Sequence, residues 1–187
     1  MKHFFSLILL FTAFSVSAQT KNSPIPPLDK SPMDMSYYPV NYPILKIQDK
    51  VTEPLVMRVV YSRPQMNGRL VFGGLQEYGE VWRLGANEAT EIEFFKDVKI
   101  NNKRIHKGRY TLYAIPFREK WTLIINKDTD VWGSFVYDPS KDIARIDLPV
   151  KKNEMTEDMS IVFEKTSFGA NMNMYWADVS TSLPIVF

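Results

Sequence analysis

The amino-acid sequence predicts an all-β protein, an antiparallel β-sandwich of about nine or ten strands. Two observations support this class. Short β-branched and aromatic runs recur along the chain, and Gly, Pro, Asn or Asp separates them at intervals of about ten residues. No convincing amphipathic helix is found, and only one short helical turn is expected, over residues 76–82. Because many short strands need two facing sheets to be buried, the sandwich is preferred, and a closed β-barrel is the alternative.

The strands in the first half of the chain are defined by local patterns. A mostly apolar, β-branched run predicts a strand over residues 55–62, and alternating apolar and acidic residues predict another over residues 91–94. Asn101 and Asn102 lie between the two short apolar pieces of residues 98–105. Since Asn tolerates left-handed backbone geometry, this pair predicts a tight hairpin turn.

A second hairpin and four C-terminal strands follow. Gly108 opens a predicted strand over residues 109–115, which Pro116 ends, and a short polar turn connects it to a strand over residues 121–126. Regular alternation predicts a half-buried strand over residues 145–150. Three further strands are predicted over residues 159–164, 171–178 and 181–187.

Residues 1–18 have the pattern of a secretory signal peptide. Lys2 gives a positive start, an apolar run covers residues 4–14, and small residues precede Gln19. Because the apolar run is too short for a stable bilayer anchor, we expect no membrane span after signal cleavage. The protein is therefore expected to be exported, to the periplasm or to the extracellular space.

The remainder of the chain divides into a leader and one domain. Residues 19–43 contain six prolines, and this density indicates a Pro-rich leader without packed structure of its own. The leader either stays free or docks its Met and Tyr side chains across the outside of a sheet. Residues 44–187 show no internal repeat and are predicted to form a single β domain, large enough to bury a core without disulfides.

Charge and composition exclude several classes of protein. The formal net charge of +2 becomes +1 after signal cleavage, since residues 1–18 contain Lys2 and no acidic residue. Near-neutral charge argues against a nucleic-acid partner. The sequence has no Cys, and His106 is the single histidine after cleavage, so Cys-ligated and multi-histidine metal sites are excluded. No phosphate loop or dinucleotide fingerprint is found, and we expect no metal and no cofactor.

Several short motifs together resemble one protein family. The most specific is the string WRLGANEAT of residues 82–90. Others are Tyr61-Ser62-Arg63-Pro64, Phe72-Gly73, Tyr78-Gly79, Trp121-Thr122 and Trp132-Gly133. In this order the motifs resemble the DUF2911 family, a family of exported bacterial proteins that is common in Bacteroidetes and has no assigned function. The resemblance implies a secreted, mostly β domain, and it carries no established catalytic residues over to this chain.

The glycine-rich, polar stretch of residues 72–93 contains the candidate site. Arg83 offers a planar fork of donors, Asn87 an amide and Glu88 a carboxylate. Nearby glycines let the backbone bring these groups close together. Such a set is suited to a glycan or another polar small ligand. Alternatively, Arg83 pairs with Glu88 while Asn87 caps a turn, and the cluster then has a structural role only.

Two further residues complete the predicted ligand-binding set. Arg63 precedes a proline in a rigid surface loop, where binding groups tend to lie, although a solvated surface arginine is the alternative. Trp132 lies in the loop of residues 131–140, and an exposed indole there would stack on a sugar ring. Trp121 and Trp176 are instead assigned to the core, because each lies in an alternating strand.

Three functions follow from these observations. The favoured one is a non-enzymatic secreted binding module that holds a polar ligand, such as a glycan or an envelope component. Its predicted ligand-binding residues are Arg63, Arg83, Asn87, Glu88 and Trp132. The first alternative is a hydrolase that uses Glu88 with a second carboxylate. The second is a purely structural or protein-interaction domain.

Overall fold

The computed structural model describes residues 25–187. The predicted signal peptide and the first residues of the leader lie outside the described residues. The elements in chain order are β1 (Met33–Tyr38), α1 (Tyr42–Ile47), β2 (Met57–Ser62), β3 (Glu91–Phe94), β4 (Val98–Ile100), β5 (Lys103–Ile105), β6 (Gly108–Pro116), β7 (Lys120–Asn126), a 3-10 turn (Pro139–Lys141), β8 (Asp142–Pro149), β9 (Lys151–Thr166) and β10 (Gly169–Val186). Across residues 25–187 no helix has the length and hydropathy needed to cross a bilayer.

The strands form two antiparallel sheets that face each other. One sheet has six strands in the order β1-β2-β3-β6-β7-β8, and the other has four in the order β5-β4-β10-β9. The two sheets do not close into one another, so the predicted β-sandwich is confirmed and the β-barrel alternative is wrong. Alternation along the strands produces the core between the sheets, as in β3, where Ile92 and Phe94 are buried and the two glutamates are not.

Four aromatic side chains lie at the centre of this core. Phe72, Trp82, Trp121 and Trp176 are all buried, and the measured ring pairs among them have centroids 5.2 to 6.1 Å apart. Losing one such side chain typically costs about 3 to 5 kcal/mol. The cluster therefore fixes Trp82, and with it the start of the stretch that carries the candidate site. The prediction that Trp121 and Trp176 belong to the core is confirmed.

Both predicted hairpins are confirmed. Val98 pairs with Ile105 and Ile100 with Lys103, so Asn101 and Asn102 form the two-residue turn between β4 and β5. Their φ angles of 48° and 61° are the left-handed values that such a turn requires. Strands β6 and β7 pair from Thr111 opposite Asn126 to Pro116 opposite Trp121.

Three local predictions differ from the structure. The strand predicted over residues 159–164 is the end of the longer β9, and the two predicted strands over residues 171–178 and 181–187 form the single strand β10. The break expected at residues 179–180 is absent, and register shifts occur just before it, between Tyr175 and Val179, where a bulge interrupts the pairing without ending β10. The helical turn predicted over residues 76–82 is absent: this segment consists of turns and isolated bridges and bonds to β6 at two points, where Gly79 N–H donates to the Pro116 carbonyl at 2.9 Å and Trp82 N–H to the Ala114 carbonyl at 2.7 Å.

The second half of the leader is part of the six-stranded sheet. Strand β1 pairs with β2 along its whole length, from Met33 opposite Ser62 to Tyr38 opposite Met57. Tyr38 is buried and contacts the rings of Phe163 and Phe187 edge-on. Residues 33–38 are therefore not free, but they are tied down as an edge strand of the sheet, whereas the docked alternative had placed their Met and Tyr side chains across the outside of one.

A second apolar cluster lies on the outer face of the six-stranded sheet. Tyr113 and Ile124 are fully buried although they alternate with core residues of β6 and β7, and they pack with Ala89, Val131 and Tyr137. This face would be exposed to water if only the opposite sheet covered β6 and β7. Two loops cover it, residues 83–90 and residues 127–138, and these loops contain most of the predicted site.

Candidate functional site

The first site loop, residues 83–90, is closed at its base by hydrogen bonds. Thr90 N–H donates to the Arg83 carbonyl at 3.0 Å, and the Thr90 hydroxyl donates to the Leu84 carbonyl at 2.5 Å. The Trp82 indole N–H donates to the Gly85 carbonyl at 3.0 Å. Leu84 is buried with a φ of 52°, a left-handed conformation that a bulky residue adopts only when its surroundings impose it. The loop is therefore a fixed feature of the fold.

The second site loop pairs with the first as a short antiparallel ladder. Ala89 N–H donates to the Val131 carbonyl at 2.9 Å, Gly133 N–H donates to the Asn87 carbonyl at 2.9 Å, and Glu88 and Trp132 form the bridge between them. We call this ladder of residues 87–89 and 131–133 the loop bridge. Residues paired across an antiparallel bridge project to the same face. Ala89 and Val131 pack onto the outer cluster, so Glu88 and Trp132 project together to the opposite, solvent side.

Trp132 is the exposed tryptophan of this structure. Of its surface, 59% is accessible, whereas Trp82, Trp121 and Trp176 are at most 3% accessible. Phe135, which is 82% exposed, follows it in the same loop. An exposed indole next to an exposed phenyl ring is a surface that stacks on planar or apolar faces of a ligand.

The polar side chains at the loop bridge have no partners among the described residues. Glu88 is exposed, Asn87 is half-buried in left-handed geometry with a φ of 58°, and neither side chain makes a hydrogen bond within residues 25–187. No ion pair joins Arg83 to Glu88, so the specific structural alternative stated for this cluster is wrong. Asn87 contributes its backbone carbonyl to the loop bridge and leaves its amide free.

Arg83 is half-buried next to Gly133. Its Nε is enclosed and has no hydrogen-bond partner, and partial burial lowers the pKa of its guanidinium. Its Nη1 lies 3.3 Å from the position that a Cβ on Gly133 would take. Gly133 has a φ of +70°, and a side chain there would also press against the Phe135 ring at 2.7 Å. A glycine is therefore required for Arg83 and Phe135 to lie this close to the loop bridge.

A small cleft opens beside Glu88. Its volume is about 190 Å³, and it is lined by Met33, Val60, Glu88, Ala89, Glu91, Asp130 and Val131. Arg109 bonds both neighbouring carboxylates, Glu91 at 3.3 Å and Asp130 at 2.5 Å, and Glu91 also accepts the Asp130 backbone N–H at 2.6 Å. Both oxygens of Glu91 and Oδ2 of Asp130 are thus engaged within the protein, whereas neither oxygen of Glu88 has a partner among the described residues.

Arg63 lies in a different environment from the other predicted site residues. Its Nε donates to the Met159 carbonyl at 3.0 Å, its Nη1 to Asp34 at 3.1 Å and its Nη2 to the Ser160 hydroxyl at 2.9 Å. These bonds join β1 and the end of β2 to β9 in the opposite sheet. All three guanidinium nitrogens already have protein partners, which indicates a structural role for Arg63.

A polar network anchors the base of the second site loop. The Tyr137 hydroxyl donates to Asp142 at 2.6 Å and accepts from Arg145 at 2.5 Å, while Asn126 donates to the same Asp142 side chain at 2.8 Å. Burial, and then the hydrogen bond to Asp142, raise the pKa of Tyr137 to about 12. Hydrogen bonds therefore hold the base of the second site loop in place, whereas Trp132 and Phe135 at its tip are exposed to solvent.

Sequence analysis did not identify Met33, Asp130, Gly133 and Phe135 as neighbours of the site. One signal for the covered face was present in the sequence: residues 112–114 and 123–125 are apolar without alternation. Such runs are typical of strands packed on both faces, and these residues are indeed all buried. Such a pattern predicts a covering segment without saying which segment it is. Within residues 25–187 no group of three His, Asp or Glu side chains could hold a metal ion.

Comparisons with known proteins give one match. No curated protein and no solved structure matches the chain. Residues 43–185 match the family described as protein of unknown function DUF2911, and this match covers most of the chain. The chain therefore belongs to the DUF2911 family, as its motifs indicated.

Proposed function

We propose that this protein is a non-enzymatic binding module for a glycan or a related polar ligand, and that the loop bridge is its binding site. The observation that carries the proposal is the pairing of Glu88 with Trp132 on one solvent-facing side of the loop bridge. One residue presents an unpartnered carboxylate and the other an exposed indole. These two groups are fixed relative to one another by backbone hydrogen bonds on either side.

The chemistry of the pair matches a sugar ring. The face of a sugar carries C–H groups that stack on an aromatic ring, and its edge carries hydroxyls that donate to a carboxylate. Charge-assisted hydrogen bonds are about twice as strong as neutral ones. Hydrogen bonds to one carboxylate can therefore orient a sugar ring that is stacked on the indole. Because the loop bridge is already ordered, a ligand does not have to order it on binding.

A hydrolase is the second candidate, since three carboxylates line the cleft beside the loop bridge. Hydrolysis of a glycosidic bond needs one carboxyl group that is held protonated as the acid. Glu91 and Asp130 are each paired with the cationic Arg109. This arrangement favours binding without cleavage.

The proposal includes export of the mature protein. Binding an envelope glycan requires delivery across the inner membrane, which the predicted signal peptide of residues 1–18 would provide. The N-terminal sequence of the protein recovered from culture fractions checks this, and a mature chain that begins at Gln19 is the expected result.

Binding can be measured from the intrinsic fluorescence of Trp132. The other three tryptophans are buried, so a saturable blue shift on titration with neutral and acidic oligosaccharides would report contact at Trp132. Calorimetric titration of the positive ligands then compares variants. Trp132→Ala is expected to abolish binding, and Glu88→Gln to weaken it by roughly tenfold or more, as expected for one hydrogen bond to a charged group.

The matched control is Phe168→Ala. Phe168 is 77% exposed and lies in the turn between β9 and β10, so its removal deletes an exposed aromatic ring away from the loop bridge. Binding should be unchanged in this variant. Equal losses in Trp132→Ala and Phe168→Ala, or no saturable binding across the panel, would contradict the proposal. Release of shorter sugars on long incubation would favour the hydrolase.

A further inference from the structure

Arg83 differs from every other arginine in the described chain. Five of the eight arginines in residues 25–187 form an ion pair with a carboxylate: Arg58, Arg63, Arg104, Arg109 and Arg145. Arg69 donates to two backbone carbonyls, and Arg118 lies over the Tyr78 ring. The Arg83 guanidinium alone in this set has no hydrogen bond, ion pair or ring contact with a described residue.

The lack of a partner is costly where Arg83 lies. Arg83 is half-buried, its Nε is completely enclosed, and desolvation lowers the pKa of the guanidinium. Exposed arginines lose little without an anion, since water solvates them, but a partly desolvated cation is under-compensated. An anion supplied from outside the described chain would compensate the charge.

Arg83 lies next to the groups that carry the proposed function. Its Nη1 approaches Gly133, the neighbour of Trp132, and Gly133 in turn bonds the Asn87 carbonyl. Asn87 keeps a free amide that can donate to the same anion. A cation and an amide donor thus lie at the end of the loop bridge where Gly133 pairs with Asn87, one residue along the chain from Trp132.

We propose that the ligand is an acidic glycan whose carboxylate is held by Arg83, and this inference rests on the proposed function. A carboxylate matches the planar fork of a guanidinium, which can bind it in bidentate geometry. Its single negative charge also matches the single charge of the one guanidinium that lies at the loop bridge. A phosphate ester carries up to two charges, so exposed Glu88 on the same loop would repel it more strongly than it repels a carboxylate.

The test uses acidic glycans and their neutral counterparts. Calorimetric titrations are carried out with oligogalacturonate, hyaluronan fragments and oligosialic acid, each next to its methyl-esterified form, which keeps the rings and hydroxyls but removes the charge. At least one acid should bind wild-type protein about tenfold or more tightly than its ester, and raising the salt concentration should reduce this preference.

Variants then assign the preference to Arg83. Arg83→Gln should reduce the affinity for the acid to that for the ester and change the affinity for the ester less than twofold. Arg83→Lys, which keeps the charge but loses the fork, should retain part of the preference. Arg118→Gln, which removes an exposed arginine with no carboxylate partner, is the control and should bind like wild type.

The outcomes separate this inference from the proposed function. If acid and ester bind equally and both are lost in Trp132→Ala, the binding module stands and the role of Arg83 is refuted. If the preference for acid survives in Arg83→Gln, the carboxylate is bound elsewhere and the inference is again refuted. If neither form of any glycan binds, both proposals fail.

Discussion

Arg63 and Arg83 both lie in loops of the same domain but have opposite environments. The guanidinium of Arg63 makes three hydrogen bonds that connect the two sheets, and every one of its nitrogens has a partner. The guanidinium of Arg83 makes none within the described chain, although part of it is buried. Both residues were predicted to bind ligand. Three of the five N–H donors of Arg63 are already used within the protein, whereas those of Arg83 have no partner among the described residues.

The difference indicates how structural and functional polar residues can be separated. A buried polar group that serves stability is normally satisfied by the protein itself. One that is left unsatisfied in an ordered loop is a cost to folding, and such costs concentrate at binding sites. Arg63 is a polar group of the first kind, and Arg83, whose Nε is enclosed without a partner, is of the second.

The largest effect is expected from replacing the two arginines. Arg63→Met should lower the free energy of unfolding by about 2 to 3 kcal/mol, because three hydrogen bonds from a charged group are lost and the Met159 carbonyl loses its partner. Arg83→Met should change it by less than about 0.5 kcal/mol or raise it, since no bond is lost and an unpaired cation is removed. Urea unfolding of each variant measures both values. Equal destabilisation in the two variants would remove the basis of the comparison.

A smaller effect is expected at Gly133. Gly133→Ala should destabilise by about 2 kcal/mol, through left-handed backbone strain and through contact with Phe135 and Arg83. Gly68 is a matched control because it has the same φ of +70° and nothing within 4 Å of a new Cβ. Gly68→Ala should therefore lower the free energy of unfolding only through left-handed backbone strain, by about 1 kcal/mol. An equal decrease in the free energy of unfolding in the two variants would mean that Phe135 and Arg83 move away from the new methyl group at no cost.

The smallest effect concerns the base of the same loop at alkaline pH. The pKa of Tyr137 is about 12 in the folded protein against 10.0 for an ordinary tyrosine. A raised pKa means that the folded state holds the proton more tightly, so this contribution to stability is complete below pH 10 and is lost as the pH rises from 10 to 12. Tyr137→Phe should therefore be less stable than wild type at pH 8, and the gap should narrow towards pH 12.

Thermal unfolding of wild type and Tyr137→Phe between pH 8 and pH 11.5 measures this gap. Other tyrosines also titrate in this range, so the difference between the two proteins is the quantity that counts. Tyr175→Phe is the control, because the Tyr175 hydroxyl bonds to no residue among those described. A gap that stays constant with pH would show that the Tyr137 proton does not contribute.

Much of the fold could be predicted from local sequence. The paired asparagines of the β4–β5 turn, the hairpin of β6 and β7 and the alternation in β3 are each encoded by neighbouring residues, and each was predicted close to its observed bounds. Strand β1 and the continuity of β10 were less accessible. A Pro-rich segment becomes a strand only when a partner such as β2 supplies the hydrogen bonds, and a bulge resembles a strand end in sequence.

The candidate site was predictable in its residues but not in its arrangement. Asn87, Glu88 and Trp132 were identified by residue type and by the loops that carry them, and their role in ligand binding stays a prediction. Nothing local indicates that Glu88 and Trp132 form a bridge, since they lie far apart in the chain. The pairing of Arg83 with Glu88, stated as the alternative, does not form, since the Arg83 guanidinium has no partner among the described residues.

The sequence by itself determined the fold class, the core tryptophans and the chemical groups available for binding, because strand periodicity and residue type are properties of short segments. Only the tertiary structure decided which of these groups are free. The outer face of β6 and β7 has to be covered, and covering it brings residues 87–89 against residues 131–133. Arg63 is satisfied elsewhere, by groups of β1 and β9, whereas the Arg83 side chain near Gly133 is left without a partner among the described residues.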